Sequence, residues 1–321
     1  MPRSIQVSAP SRLHFGLLRF AQTGGRSFGG MGMMVHRPRV VLEASPANQW
    51  SVQGPESQRT LAWAQHAWAL FQPTAVRALR VRVHQCPASH SGLGTGTQLA
   101  LAIATAVRAT CNLSALPVER LAGAMGRGQR SAVGSYGFRA GGLILETGLE
   151  AEGGLGKLQQ RVAIPVGWKI VLITPPAEQG CHGQREADAF TRLEAIPRAT
   201  TQRLLELATG KIIPAAKRND PATFGQAVYQ YGLLAGECFR SVQGGPFASE
   251  ATARRVDRLR HLGIHGVGQS SWGPTLFALV HHDSPAALIA ELASMPEFSG
   301  CNFLATTADN RGAVMTVLEN L

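Results

Sequence analysis

Three stretches of this chain hold residues whose types and spacing suit chemistry on anions. The first is Ser89-His90-Ser91-Gly92-Leu93-Gly94-Thr95-Gly96-Thr97, with glycines on alternate positions and hydroxyls among them. Glycine lets the backbone approach an anion with no Cβ in the way. A glycine-rich turn that opens a helix also aims unpaired N–H groups and the positive end of the helix dipole at that anion. The expectation is a phosphate or pyrophosphate site made by Ser91, Gly92, Leu93, Gly94, Thr95, Gly96 and Thr97. The second stretch carries Arg12 and His14, which share one face of an extended chain because they stand two apart. The third, Gly268-Gln269-Ser270-Ser271-Trp272-Gly273-Pro274-Thr275, offers the hydroxyls of Ser270 and Ser271.

Each stretch also has a plain structural explanation. Glycines serve tight turns and close helix packing, an Arg-x-His pair is an ordinary surface feature, and Trp272 reads as a packing residue. Two familiar phosphate loops are excluded. No lysine stands near the first stretch, as a Walker A loop requires, and its third glycine comes too early for the dinucleotide fingerprint.

The elements that position these residues follow from periodicity. Leu79, Val81 and Val83 alternate with Arg80, Arg82 and His84, which predicts a strand ahead of the first glycine loop. Leu99, Ile103 and Val107 recur at helical spacing behind it. Residues 4–9 read as a strand running into Arg12, and 57–71 as an amphipathic helix. Residues 24–32 and 126–142 read as irregular, being rich in glycine. Leu143 to Glu146 reads as a strand, with Glu146 either a metal ligand or a solvated strand-end carboxylate. Gly167 to Thr174 is a continuous apolar strand, and the domain boundary is placed just before it. Helices and strands then alternate to the end. The fold class is α+β in two domains, residues 1–166 and 167–321.

Composition narrows the partners. The 321 residues carry a formal net charge of +11, and only four of the 31 basic residues are lysine. Arginine forks suit carboxylates and phosphates. The arginines are scattered, with no run of like charge and no basic–aromatic platform, so small anions are expected and nucleic acid is not. Five widely spaced cysteines without a Cys-x-x-Cys, and no long apolar segment, predict a cytoplasmic protein with reduced thiols and no membrane association.

Ala9-Pro10-Ser11-Arg12 followed by Gly16, the loop from Ser89 to Thr97, and Gly268 to Thr275 occur in the order seen in the GHMP superfamily of small-molecule kinases, and together they resemble it. The resemblance implies a GHMP-kinase-like two-domain fold, with a ribosomal S5 domain 2-like N-terminal domain and a ferredoxin-like C-terminal domain. A catalytic aspartate is expected after the loop helix, yet Ser131-Ala132-Val133-Gly134-Ser135 has glycine at the matching place. His90-Ser91-Gly92-Leu93-Gly94-Thr95-Gly96-Thr97-Gln98, Arg12-Leu13-His14-Phe15-Gly16-Leu17 and Gly29-Gly30-Met31-Gly32-Met33 look instead like the β-ribofuranosylaminobenzene 5'-phosphate synthase family.

That family implies a decarboxylating transfer of phosphoribosyl pyrophosphate to 4-aminobenzoate or a close para-substituted benzoate, in methanopterin biosynthesis, with Mg²⁺ and a homodimer. Carried onto this sequence, it implies Arg12, His14 and His90 as catalytic residues, the histidines donating to the leaving group. Arg26, Arg139, His182, Glu186, Ser270 and Ser271 become candidates for substrate binding. Two alternatives stay open. A small-molecule kinase would need Asp188 or Glu186 as a replacement base, and a nucleic-acid-binding module would show strongly salt-dependent affinity.

Overall fold

The computed structural model describes residues 3–20, 26–74, 76–150, 153–176, 188, 190–280 and 284–318. Two long strands form its first sheet. β1 (Ser4–Leu17) pairs antiparallel with β3 (Gly30–Ala47), from Ile5 opposite Ala44 to Leu17 opposite Gly30. A short pair, β2 (Arg26–Ser27) with β7 (Leu149–Glu150), stands apart from this sheet. β5 (Ala78–Gln85) extends the sheet beyond β3, and β4 (Ser51–Gln53) adds to it in parallel. β6 (Leu143–Glu146) pairs with the start of β3, and β8 (Leu158–Val162) with β6.

Alternation along β1 turns Ile5, Val7 and Ala9 toward α2 (Thr95–Thr110), where they share a core with Leu99, Ile103 and Val107. Truncating such a fully enclosed leucine, Leu99 for example, costs about 2–5 kcal/mol. α1 (Ser57–Phe71) covers α2, and the periodicity marks it to the residue.

The second sheet runs in the order β10 (Val267–Gln269), β11 (Leu276–Val280), β9 (Lys169–Thr174), β12 (Asn302–Thr307), all antiparallel. β9 is apolar from Ile170 to Ile173 because both its faces are covered there. Val171 and Ile173 pack with Val256, Leu259 and Leu292 of the helices Glu250–His261 and Pro285–Ala293. Ile170 and Leu172 turn to the opposite face, against Phe224 and Tyr231 of the helix Pro221–Glu237. That second core also holds Leu13, Phe15, Met31 and Met33 of the first sheet, with the Phe15 and Phe277 ring centroids 5.4 Å apart. One apolar interior therefore ties the two sheets together.

The chain departs from its sequence reading in three places. The last strand, β13 (Val314–Leu318), returns to pair with β1, so the first sheet is not built from residues 1–166 alone. Residues 30–32 are not irregular but open β3, where glycine is required by close approach. A Cβ on Gly32 would stand 2.2 Å from the Leu13 carbonyl oxygen. Residues 126–142 hold a buried helix, α4 (Val133–Ala140), beyond α3 (Val118–Ala124). α4 lies so close to β3 that a Cβ on Gly137 would meet the Met34 sulfur at 2.1 Å. Glycine marks tight packing in both segments, not a loop. Among the described residues no helix is long and apolar enough to cross a membrane.

Candidate active site

β1 carries Arg12 and His14 into the seam between the two sheets. The β1–β3 register shifts between Pro10 and Ser11, and again between His14 and Gly16. Such irregularities re-aim side chains, and here both Arg12 and His14 line a cavity of about 320 Å³. Residues Gly126 to Ser131 form another wall. Phe190, Phe239 and Trp272 bring an aromatic one. Those three rings meet edge to face, Phe239 and Trp272 at 4.6 Å between centroids and Phe190 and Trp272 at 5.8 Å. The Arg130 guanidinium lies 4.4 Å over the Phe190 ring, a cation–π contact. The charged side chains on the described lining are Arg12, Arg127 and Arg130, and no carboxylate stands among them.

The glycine loop packs closely against its neighbours. Of the seven residues from Ser91 to Thr97, Thr97 reaches the cavity lining. A Cβ on Gly92 would stand 2.4 Å from the Ser270 carbonyl oxygen, and one on Gly94 would stand 2.9 Å from Arg12 Nε. A Cβ on Gly96 would crowd the Arg59 guanidinium at 2.6 Å. Ser91 donates to the Ala88 carbonyl, Thr95 makes a longer bond to the same oxygen, and Leu93 is buried in the shared core while its carbonyl accepts from Arg12 N–H. His90 takes a positive φ of 61° in the turn and is not part of the lining. The loop is thus a joint, seating β1 and the second glycine loop against α2.

Ser270 completes that joint. It is 0% exposed; its hydroxyl donates to the Gly92 carbonyl at 2.7 Å and accepts from His14 N–H at 3.0 Å. Enclosed and bonded on both sides, it holds the walls together. Its neighbour Ser271, whose N–H donates to the His14 carbonyl, does line the cavity.

Arg26 and Arg139 lie off the cavity. Arg26 donates to Thr147 Oγ1 at 2.6 Å and pairs with Glu150 at 3.0 Å, while Arg139 is exposed and pairs with Glu119 at 3.7 Å. The lining holds Arg127 and Arg130 instead, whose signal in the sequence is the Gly-Arg-Gly-Gln-Arg-Ser run. Asp188 is likewise not on the lining, and His182 and Glu186 lie outside the described residues.

Two buried ionisable groups stand at the wall. His14, 4% exposed, is pushed well below the usual imidazole pKa by burial and then by the Arg12 charge. It is neutral at pH 7, a proton acceptor and not the imidazolium donor that the family resemblance implies. Its Nε2 lies 2.9 Å from Ser131 Oγ. Behind Ser131, Glu146 is 0% exposed, neither solvated nor on the lining. Burial raises its pKa to about 7, against the pull of hydrogen bonds from Gly148 N–H, Ala132 N–H and the Ser131 hydroxyl. Among the described residues no group of three His, Cys, Asp or Glu side chains could hold a metal ion.

With this geometry in view, solved structures identify the architecture. Homoserine kinase from Cytophaga hutchinsonii superimposes with a TM-score of 0.67, over 98% of both chains at 16% identity. Mevalonate-3-kinase from Thermoplasma acidophilum gives 0.67 at 13% identity, over 98% of this chain and 99% of its own. The family model "GHMP kinases C terminal" matches residues 212–297. The fold is that of the GHMP kinases. At such identities the kinases share architecture alone. In sequence the chain resembles proteins named β-ribofuranosylphenol 5'-phosphate synthase. The one from Methanothermobacter thermautotrophicus is 26% identical over 96% of this chain and 98% of its own length. The one from Archaeoglobus fulgidus is 26% identical over 98% and 100%. Within the GHMP fold this cavity is unlike a kinase centre in one respect. Gly134 lines it where the sequence resemblance places a catalytic aspartate, and the Gly134 carbonyl accepts from the buried Gln98 amide at 2.9 Å.

Proposed function

We propose that this protein is a synthase that transfers the phosphoribosyl group of phosphoribosyl pyrophosphate to a para-substituted benzoate, releasing pyrophosphate and CO₂. One observation carries the reading: a cavity with three arginines, no carboxylate on its described lining, and an aromatic wall. Such a site favours two anions, one of them aromatic. The likeness over the whole chain to synthases named for a ribofuranosylphenol phosphate agrees with it. The product would enter the methanopterin pathway.

The chemistry asks for little proton transfer at the reacting carbons. The ring carbon that bears the carboxylate attacks ribose C1 while the C1–O bond to pyrophosphate breaks, and the electron pair leaves with pyrophosphate. Loss of CO₂ returns a pair to the ring and restores aromaticity. The protein's share is to orient two anions and to stabilise charge on the leaving group. Arg12, Arg127 and Arg130 do this as fixed cations, their forks matching phosphate and carboxylate oxygens. Phe190, Phe239 and Trp272 take the ring. Mg²⁺, if it takes part, enters with the pyrophosphate, because the described lining offers it no carboxylate. A para amine gives the aminobenzene product and a para hydroxyl gives the phenol for which the relatives are named.

The test incubates the protein with Mg²⁺, phosphoribosyl pyrophosphate and carboxyl-labelled 4-aminobenzoate or 4-hydroxybenzoate. Labelled CO₂ together with a C-riboside phosphate is the expected result. No gas from either acid, with ATP consumed in the presence of a small alcohol, would overturn the reading and return the protein to the kinases.

A further inference from the structure

The proposed transfer leaves one charged group at the site without a task. Glu146, at the end of β6, accepts from Ala132 N–H at 3.2 Å and from Gly148 N–H at 2.8 Å, and the Ser131 hydroxyl acts on the same carboxylate. With its hydrogen committed to the carboxylate, Ser131 Oγ has lone pairs left, and it accepts from Val133 N–H at 3.3 Å. Its remaining partner is His14 Nε2 at 2.9 Å. With the hydroxyl hydrogen turned to Glu146, that contact places a proton on Nε2, and the neutral ring then carries its lone pair on Nδ1. The bond to Ser131 is the one side-chain hydrogen bond of the His14 ring among the described residues, and His14 lines the cavity. Nδ1 is then the ring nitrogen left without a hydrogen bond among the described residues.

The surroundings hold this arrangement in place. A Cβ on Gly156 would stand 2.4 Å from Glu146 Oε2, and one on Gly30 would stand 3.0 Å from the His14 ring. The charged and titratable groups that act on the pair are Arg12 beside His14, and Arg19, Tyr136 and Tyr231 around Glu146.

The geometry points to Glu146 and Ser131 as positioning residues that fix the tautomer of His14, making it the general base that deprotonates a phenolic acceptor. The inference rests on the phosphoribosyl transfer proposed above and adds to it a proton path. The hydroxyl proton of 4-hydroxybenzoate passes to His14 Nδ1. The phenolate pushes its charge to the ring carbon that bonds ribose C1, and the C1–O pair leaves with pyrophosphate. The bond to CO₂ then breaks and its pair rearomatises the ring as a phenolate, which takes the proton back from His14. No net proton is gained or lost. An amino acceptor needs no such step, because its nitrogen lone pair pushes without losing a proton.

The experiment compares kcat/KM for 4-hydroxybenzoate and 4-aminobenzoate in the wild type, Ser131→Ala, Ser131→Thr and Glu146→Gln. General base catalysis contributes about 10²–10⁴-fold, so Ser131→Ala and Glu146→Gln should cut the hydroxy-to-amino ratio by roughly 100-fold. Ser131→Thr, which keeps the hydroxyl, should restore most of it. Where Glu146→Gln does not fold, the two Ser131 variants decide. Equal losses for both acceptors, or no change in the ratio, would overturn the inference while leaving the transfer intact. Should neither acid be a substrate, the transfer fails, and nitrogen-15 NMR of the histidines still judges the network. A proton on His14 Nε2 that redistributes between the nitrogens in Ser131→Ala supports it, and a proton on Nδ1 in the wild type overturns it.

Discussion

Ser270→Ala isolates the joint between the two halves. The substitution removes a single oxygen and leaves the loop's chain path unaltered, but it orphans two buried backbone groups. The His14 N–H loses its acceptor at 3.0 Å and the Gly92 carbonyl loses its donor at 2.7 Å, at a position 0% exposed to water. An unsatisfied buried polar group costs about 1–3 kcal/mol. Two of them, with some relief from loop adjustment, give about 2–4 kcal/mol. Each kcal/mol moves Tm by about 2–4 °C in chains of 150–250 residues, and by less in longer ones. A fall of roughly 4–8 °C is the expected thermal shift for Ser270→Ala. Ser271→Ala is the control. Its side chain is exposed, so it should stay within about 0.5 kcal/mol of the wild type. Thermal unfolding followed by circular dichroism measures both. If Ser270→Ala melts with the wild type while its KM rises, the hydroxyl contacts substrate and the joint described here is wrong.

Other consequences are as direct. Arg127→Ala and Arg130→Ala should each raise the KM for phosphoribosyl pyrophosphate or the benzoate by about 10-fold or more, as expected for loss of a charged hydrogen bond worth about 1.5–3 kcal/mol. Arg139→Ala, which touches an exposed Glu119, should leave both constants within about 2-fold of the wild type, in steady-state assays of labelled CO₂. Gly32→Ala must push a strand away from the Leu13 carbonyl and should cost about 1–3 kcal/mol or more in urea unfolding. For pH, burial raises Glu146 to about 7 from its ordinary 4.5, so the folded chain holds that proton more tightly than the unfolded one. Stability from this group falls as pH rises from 4.5 to about 7, by up to about 3 kcal/mol, and Glu146→Gln should abolish that slope. His14 has the opposite sign: its lowered pKa makes stability rise with pH toward the unfolded value of 6.5, and His14→Gln should remove that rise.

The fold was legible in the sequence wherever periodicity was clean. Alternation from Leu79 to Val83, helical spacing from Leu99 to Val107 and the apolar run into Thr174 all mark real elements, because one face or both faces of each are buried. It was not legible where glycine does the packing. Gly32 in β3 and Gly137 in α4 look like breaks in a pattern, yet each is small because a carbonyl or a sulfur occupies the space a side chain would need. The return of β13 to β1 was hidden for another reason: strand pairing across three hundred residues leaves no local trace.

The site shows the same division between residue type and residue position. Arg12 and His14 were visible because two residues apart on a strand share a face, and both reach the cavity. Arg26 and Arg139 were equally plausible by type, but acidic neighbours from distant segments, Glu150 and Glu119, claim them. Glu146 is the most instructive. At a strand end it reads as solvated, whereas a turn of chain from Ala132 to Gly148 encloses it and supplies the donors that keep a buried carboxylate tolerable. A kinase of this fold would place its carboxylate in the cavity, toward a substrate hydroxyl. Here that place is Gly134, and the buried acid sits behind the Ser131 hydroxyl of the cavity wall. A carboxylate facing the cavity would repel pyrophosphate and a benzoate alike. Set behind Ser131, it can still act on His14 while the surface that the proposed substrates would meet remains cationic.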